Sequence, residues 1–192
     1  MKRRTFVAGT LSIAGLSGCL GDTEYRIIDT AVESASEPLS VSVHLAAADA
    51  TIEHPAALTL SLENTGDESV RIRSYGVWPF GVLAVAPSST PDEETWRTTL
   101  FSPSYEATDR VEVGRGGSSL SLDGTPLTRT LEPDDTVSRR YELRGNDLPR
   151  PGTYYVVERF ESKATRYARA DEWEPLEYRV RLHIEKNSRL PM

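Results

Sequence analysis

The 192-residue chain has one cysteine, Cys19, so no disulfide can form within it and the single thiol needs another use. Histidine is nearly as scarce. His44, His54 and His183 stand at no helix or hairpin spacing, and with Cys19 alone there is neither an H-E-x-x-H helix nor a Cys–His zinc set. Only three of the 22 basic residues are lysine (Lys2, Lys163 and Lys186), and they face 29 acidic residues. That acid excess argues against nucleic acid as a partner, because phosphates need a basic face. No amphipathic helical period and no internal repeat stands out, which excludes a helical bundle or a solenoid. Apolar residues are only 38% of the chain, yet β-branched and aromatic residues persist throughout, as in a folded rather than a disordered protein.

What is present begins at the N-terminus. Lys2, Arg3 and Arg4 form a basic start, and residues 5–18 follow without a charge. That run of 14 is too short to cross a hydrocarbon core, which needs about 20. A basic start, a short apolar middle and a small-residue end describe a secretory signal peptide. Gly9, Thr10, Ser12, Gly15, Ser17 and Gly18 dilute the middle, and an arginine pair before a weakly hydrophobic core marks twin-arginine export. Phe6, two residues after the pair, fits that pattern, whereas Lys2 stands where Ser or Thr is usual. Leu16-Ser17-Gly18-Cys19 resembles the lipobox of prokaryotic lipoproteins. The resemblance implies a diacylglyceryl group on the Cys19 thiol, with Cys19 as the mature N-terminus and the membrane as a partner through that lipid. Two acyl chains suffice for stable anchoring where one is marginal. The expected organisation is a signal peptide over 1–18, a lipidated tether over 19–24 and one β domain over 25–187. Without residues 1–18 the chain carries 19 basic and 29 acidic residues, a net charge of −10. Acid excess with few lysines resembles the proteins of salt-loving archaea.

Strand signals fill the rest. Leu39, Val41, Val43 and Leu45 alternate with Ser40, Ser42 and His44. Leu58, Leu60 and Leu62 repeat the pattern, and Leu176, Tyr178, Val180, Leu182 and Ile184 give its longest run. A period of two marks a strand with one buried face. Asn64-Thr65-Gly66-Asp67 predicts a hairpin or tight connection between residues 56–63 and the strand carrying Val70 and Ile72. Residues 25–29, 82–86, 137–143 and 153–160 read as further strands, and residues 96–101, 110–113, 120–122 and 128–131 as weaker ones. Eight to ten short strands separated by turns predict an all-β sandwich or barrel.

Three turn patterns narrow that choice. Leu62-Glu63-Asn64-Thr65-Gly66, Leu131-Glu132-Pro133-Asp134-Asp135-Thr136 and Pro151-Gly152-Thr153-Tyr154 resemble, in order, turns of immunoglobulin-like domains. Asp134 replaces the usual glycine of the second pattern. The same order is found in archaeal surface lipoproteins and in a proteinase-inhibitor family with an immunoglobulin-like fold. The resemblance implies a single immunoglobulin-like β-sandwich and names no activity.

No stretch carries recognisable chemistry. Gly116-Gly117-Ser118-Ser119 does not match a nucleophile elbow, and no phosphate loop occurs. Catalytic residues, cofactors and metals are therefore not expected. Trp78 and Phe80, in Tyr75-Gly76-Val77-Trp78-Pro79-Phe80-Gly81, stand out either as exposed anchors of an interaction loop or as a plug of the core. The expected function is a surface-exposed, non-enzymatic module that binds a protein or surface polymer. An inhibitor or accessory subunit of another exported protein is the first rival and a hydrolase the second.

Overall fold

The structure, a computed structural model, describes residues 24–51, 53–114 and 119–187. The signal segment with Arg3, Arg4 and Phe6, the lipobox Cys19 and residues Gly116 and Gly117 lie outside the described residues. Within them the protein is all-β, with strands numbered β1 to β15 in chain order and a few single 3-10 turns.

Six strands form the largest sheet, in the order β3-β1-β15-β12-β6-β7, all antiparallel. They are β1 (Tyr25–Ala35), β3 (Asp49–Ala50), β6 (Leu83–Ala86), β7 (Thr98–Thr99), β12 (Gly152–Glu158) and β15 (Tyr178–Lys186). A three-stranded sheet runs β11 (Thr136–Leu143), β4 (Ala56–Asn64), β2 (Leu39–Ala47). A four-stranded sheet runs β10 (Pro126–Leu131), β5 (Val70–Tyr75), β13 (Arg166–Ala168), β14 (Glu174–Pro175). A ribbon of β8 (Val111–Val113) and β9 (Leu120–Leu122) flanks them.

The alternation seen in the sequence decides which faces meet. Leu58, Leu60 and Leu62 from β4 and Val180, Leu182 and Ile184 from β15 are all fully buried in one continuous hydrophobic cluster. Each such side chain contributes roughly 1.5–3 kcal/mol by leaving water. β6 is paired on both edges, by β12 and β7, and all four of its residues are buried, so both of its faces are covered. In β11 the inward residues are Val137, Arg139, Tyr141 and Leu143. Arg139 is thus held on the inner face, where burial lowers its pKa.

Two expectations change. β1 runs to Ala35, beyond residues 25–29, because its backbone pairs with β15 down to Ala35↔Tyr178. β4 and β5 do not form a hairpin: β4 lies in the three-stranded sheet and β5 in the four-stranded one. The turn after β4 is a corner between sheets, and Asn64 holds it. Its fully buried side chain donates to the Glu68 and Leu131 carbonyls at 2.8 and 3.1 Å and accepts from the Gly66 amide at 3.1 Å. The Asn64 amide donates to the Asp135 carbonyl at 3.1 Å, and its carbonyl accepts from the Asp134 amide at 2.9 Å. Two of the three turn patterns therefore touch, residue to residue. Asp134 occupies the left-handed region, with φ 64°.

Candidate functional site: a cleft where β12 and β15 part

β12 and β15 pair up to Val156↔Val180, where the ladder ends. Continuing that register by two residues sets Glu158 opposite Tyr178. Both follow the inward positions of their strands, Tyr154 and Val156 on one and Val180, Leu182 and Ile184 on the other. Where the strands part, a cleft of about 480 Å³ opens, within the size range of small-ligand sites. Val156, Val157, Pro175 and Leu176 supply its apolar lining, and Glu158, Thr165 and Tyr178 are among the other residues that line it.

Few partners satisfy Glu158 and Tyr178. Glu158 Oε1 accepts from the Thr165 amide at 3.1 Å, and no ion pair reaches Glu158 among the described residues. Burial pushes its carboxyl up to about 8, against the opposing pull of the Thr165 hydrogen bonds. The Tyr178 hydroxyl is buried without a hydrogen-bond partner. Burial, with the nearby Glu158 charge as a lesser cause, raises the Tyr178 pKa. Native interiors rarely leave such groups unpaired.

Trp78 and Phe80 are not exposed anchors. Phe80 is fully buried and Trp78 is 7% exposed, so the loop plugs the core. The indole Nε1 donates to the Ile72 carbonyl at 3.3 Å, and the Phe80 ring meets Tyr178 edge-on at 5.8 Å. The hydrophobic term wins here, because two large aromatic side chains next to β5 and β6 gain more from the core than from water. Tyr141 closes the plug from β11, its hydroxyl donating to the Gly81 carbonyl at 3.0 Å.

Two other features compete for attention. A groove of about 700 Å³ runs between Tyr105 and Val111 on one side and Glu142 and Arg144 on the other. On the four-stranded sheet, the Arg71 and Arg73 guanidinium groups lie 5.4 and 3.8 Å from the centre of the Trp173 ring. Arg71 also pairs with the exposed Asp171 at 3.2 Å. The histidines lie elsewhere. His44 and His54 are exposed, and His183 sits beside Thr153 at 3.3 Å. Neither the cleft nor the groove has a histidine in its lining, and among the described residues no three His, Cys, Asp or Glu side chains converge as a metal site.

The arrangement defines an all-β, sandwich-like protein with a ligand-sized cleft at one end of its largest sheet. The chain belongs to the family described as a domain of unknown function (DUF8130), whose model matches residues 1–192. No curated protein matches the chain.

Proposed function

We propose that this is an exported, lipid-anchored surface protein whose immunoglobulin-like β-sandwich is a non-enzymatic binding module. The signal and lipobox patterns support the anchor. The observation that carries the binding role is the position of the cleft. β1 enters the domain at Tyr25, beside Lys186, and ends at Ala35, beside Tyr178. Eleven residues of strand span roughly 35 Å at about 3.3 Å each. The cleft at Tyr178 is thus at the opposite end of β1 from Tyr25, and on the anchored reading a short tether before Tyr25 would leave it facing away from the membrane.

The anchor is tested by fractionation of wild type and Cys19→Ser, with mass spectrometry of the N-terminal peptide. Wild type is expected in the membrane pellet with lipid mass on Cys19, and the variant in the soluble fraction or with its signal uncleaved. A free thiol on the mature wild type would remove the anchor. Replacing Arg3 and Arg4 by lysine, which lacks the planar fork of arginine, is expected to trap precursor in the cytoplasm. Normal export would leave a general secretory signal instead.

A further inference from the structure

We propose that the outward face of the four-stranded sheet, where Arg71, Arg73 and Arg166 surround Trp173, docks an acidic segment of a partner protein in extended conformation. The inference goes beyond the cleft, which takes no part in it, and gives the binding module a second surface. β5 turns Val70, Ile72 and Ser74 into the core and Arg71, Arg73 and Tyr75 outward. The ladders set Arg166 of β13 beside Arg73 on one side, and Thr128 and Thr130 of β10 beside Arg73 and Arg71 on the other. Residues paired across a ladder share a face, so the three arginines stand on one side of the sheet. Trp173 gathers them. Its ring centre lies 3.8 Å from the Arg73 guanidinium carbon and 5.4 Å from that of Arg71, and its carbonyl accepts from Arg166 Nη2 at 3.1 Å. At the next outward position of β5, the Lys163 ammonium stands 4.8 Å from the Tyr75 ring centre.

Little negative charge answers these cations, although acids outnumber bases 29 to 22 in the whole chain. Among the described residues, the one ion pair made by Arg71, Arg73, Arg166 or Lys163 is Arg71–Asp171 at 3.2 Å, and the Asp171 side chain is fully exposed. An exposed pair of that kind holds weakly and is readily exchanged. Glu174, next to Trp173, already accepts from the Tyr167 hydroxyl at 2.8 Å, and Glu172 on the other side is exposed. Arg73 is the extreme case. Its Nε is sealed without a hydrogen-bond partner, which leaves its two terminal nitrogens to meet an anion.

Carboxylates suit this face. An arginine stacked on an aromatic ring still offers the N–H groups in its own plane, and that planar fork matches a carboxylate in two hydrogen bonds. Stacking also fixes the fork before a partner arrives, so less rotamer freedom is lost on docking. The spacing selects an extended peptide. Outward positions along β5 recur at every second residue, about 6.6 Å apart at roughly 3.3 Å per residue. An extended chain with an acid at every second position repeats its carboxylates at the same interval and on one side. A strand laid along β5 sets one carboxylate at Arg71 and the next at Arg73, with Arg166 beside the second and the exposed Thr128 and Thr130 along the track.

The test is fluorescence anisotropy of a labelled peptide of five Glu-Thr repeats, titrated with the full-length protein in detergent. At about 0.15 M salt the screening length is roughly 8 Å, so the acidic charge on remote faces is suppressed and contact pairs decide. Saturable binding is expected for the Glu-Thr peptide and none for a Gln-Thr peptide. A peptide with the same glutamates at every third position, which point to alternate sides of a strand, is expected to bind several-fold more weakly. Replacing both Arg73 and Arg166 by glutamine is expected to weaken binding roughly tenfold, the size of two exposed ion pairs, with the β-sheet dichroism retained. Arg166→Gln alone, at an exposed position, is expected to weaken it a few-fold and covers the case in which the double variant fails to fold. Arg181→Gln, on the six-stranded sheet, is expected to bind as wild type. No binding of the Glu-Thr peptide, equal binding of the Gln-Thr peptide, undiminished binding by the Arg166→Gln and double variants, or an equal loss in Arg181→Gln would overturn the proposal. Equal binding of the every-third peptide would overturn the extended register. Tighter binding of oligogalacturonate in competition would overturn the protein partner in favour of an acidic polysaccharide. These variants leave the cleft and Cys19 untouched, so failure here is distinct from failure of the cleft or of the anchor.

Discussion

The aromatic loop at 75–81 and the cleft between β12 and β15 meet at the Phe80–Tyr178 ring contact, and they handle buried polar groups in opposite ways. In the loop every conspicuous polar atom has a partner: Trp78 Nε1 donates to Ile72, the Tyr141 hydroxyl to Gly81, and the Ser74 hydroxyl to Val77. In the cleft, Tyr178 has none and Glu158 has no cation among the described residues. A buried hydrogen bond contributes modestly, whereas a buried group left unpaired costs its full desolvation. The loop thus reads as fully satisfied architecture, and the strand ends at Glu158 and Tyr178 as the less satisfied of the two regions. Size and aromaticity single out the loop in the sequence; polar satisfaction singles out the cleft in the structure.

The strongest test of this contrast is Phe80→Ala, which empties a fully buried aromatic site and is expected to cost about 3–5 kcal/mol in chemical denaturation. A cost under about 1 kcal/mol would return the loop to the surface.

Next in size is the pH dependence set by Glu158. Its carboxyl is raised from 4.5 in the unfolded chain to about 8 in the fold, so the folded state holds the proton longer. The stability that Glu158 contributes is full below pH 4.5 and falls as pH rises toward 8. Each tenfold difference in proton affinity between the folded and unfolded chain is worth about 1.4 kcal/mol. The expected loss over that range is about 3–5 kcal/mol. Glu158→Gln is expected to flatten the stability profile over that range. A profile equally steep in the variant would assign the proton uptake to another group.

The finest test compares two tyrosines in one apparatus. Tyr141→Phe strands the Gly81 carbonyl in the core and is expected to cost about 1–2 kcal/mol. Tyr178→Phe removes a hydroxyl that has no partner and is expected to change stability by less than about 0.5 kcal/mol, or to raise it. Equal costs would show that the Tyr178 hydroxyl finds a partner in solution and would end the contrast.

Much of the fold is legible in the sequence because period-two alternation reports burial directly. Leu58, Leu60, Leu62, Val180, Leu182 and Ile184 sit where the pattern places them. Pairing partners are not legible. The Asn64 turn reads as a hairpin because local turn chemistry is the same whether the chain returns to its own sheet or crosses to another. The cleft does leave a signal in the sequence: Tyr154, Val156 and Glu158 share a face, so the alternation places an acid in line with core residues. What the sequence does not supply is the opposing orphan hydroxyl on β15, because Tyr178 reads as one more apolar position.

The Asp134 corner has a consequence for the unfolded chain. Where the immunoglobulin-like pattern has glycine, this chain holds an aspartate in the left-handed region, at φ 64°. That conformation is strained by roughly 1–2 kcal/mol for most L-residues, and aspartate is among the few that tolerate it. Against the strain, a side chain at this position narrows the random coil, an entropic gain in stability of about 0.4–1 kcal/mol relative to glycine. Opposite in sign and similar in size, the two effects nearly cancel. The corner can therefore keep its shape without the residue that usually makes it, and aspartate and glycine become nearly interchangeable there.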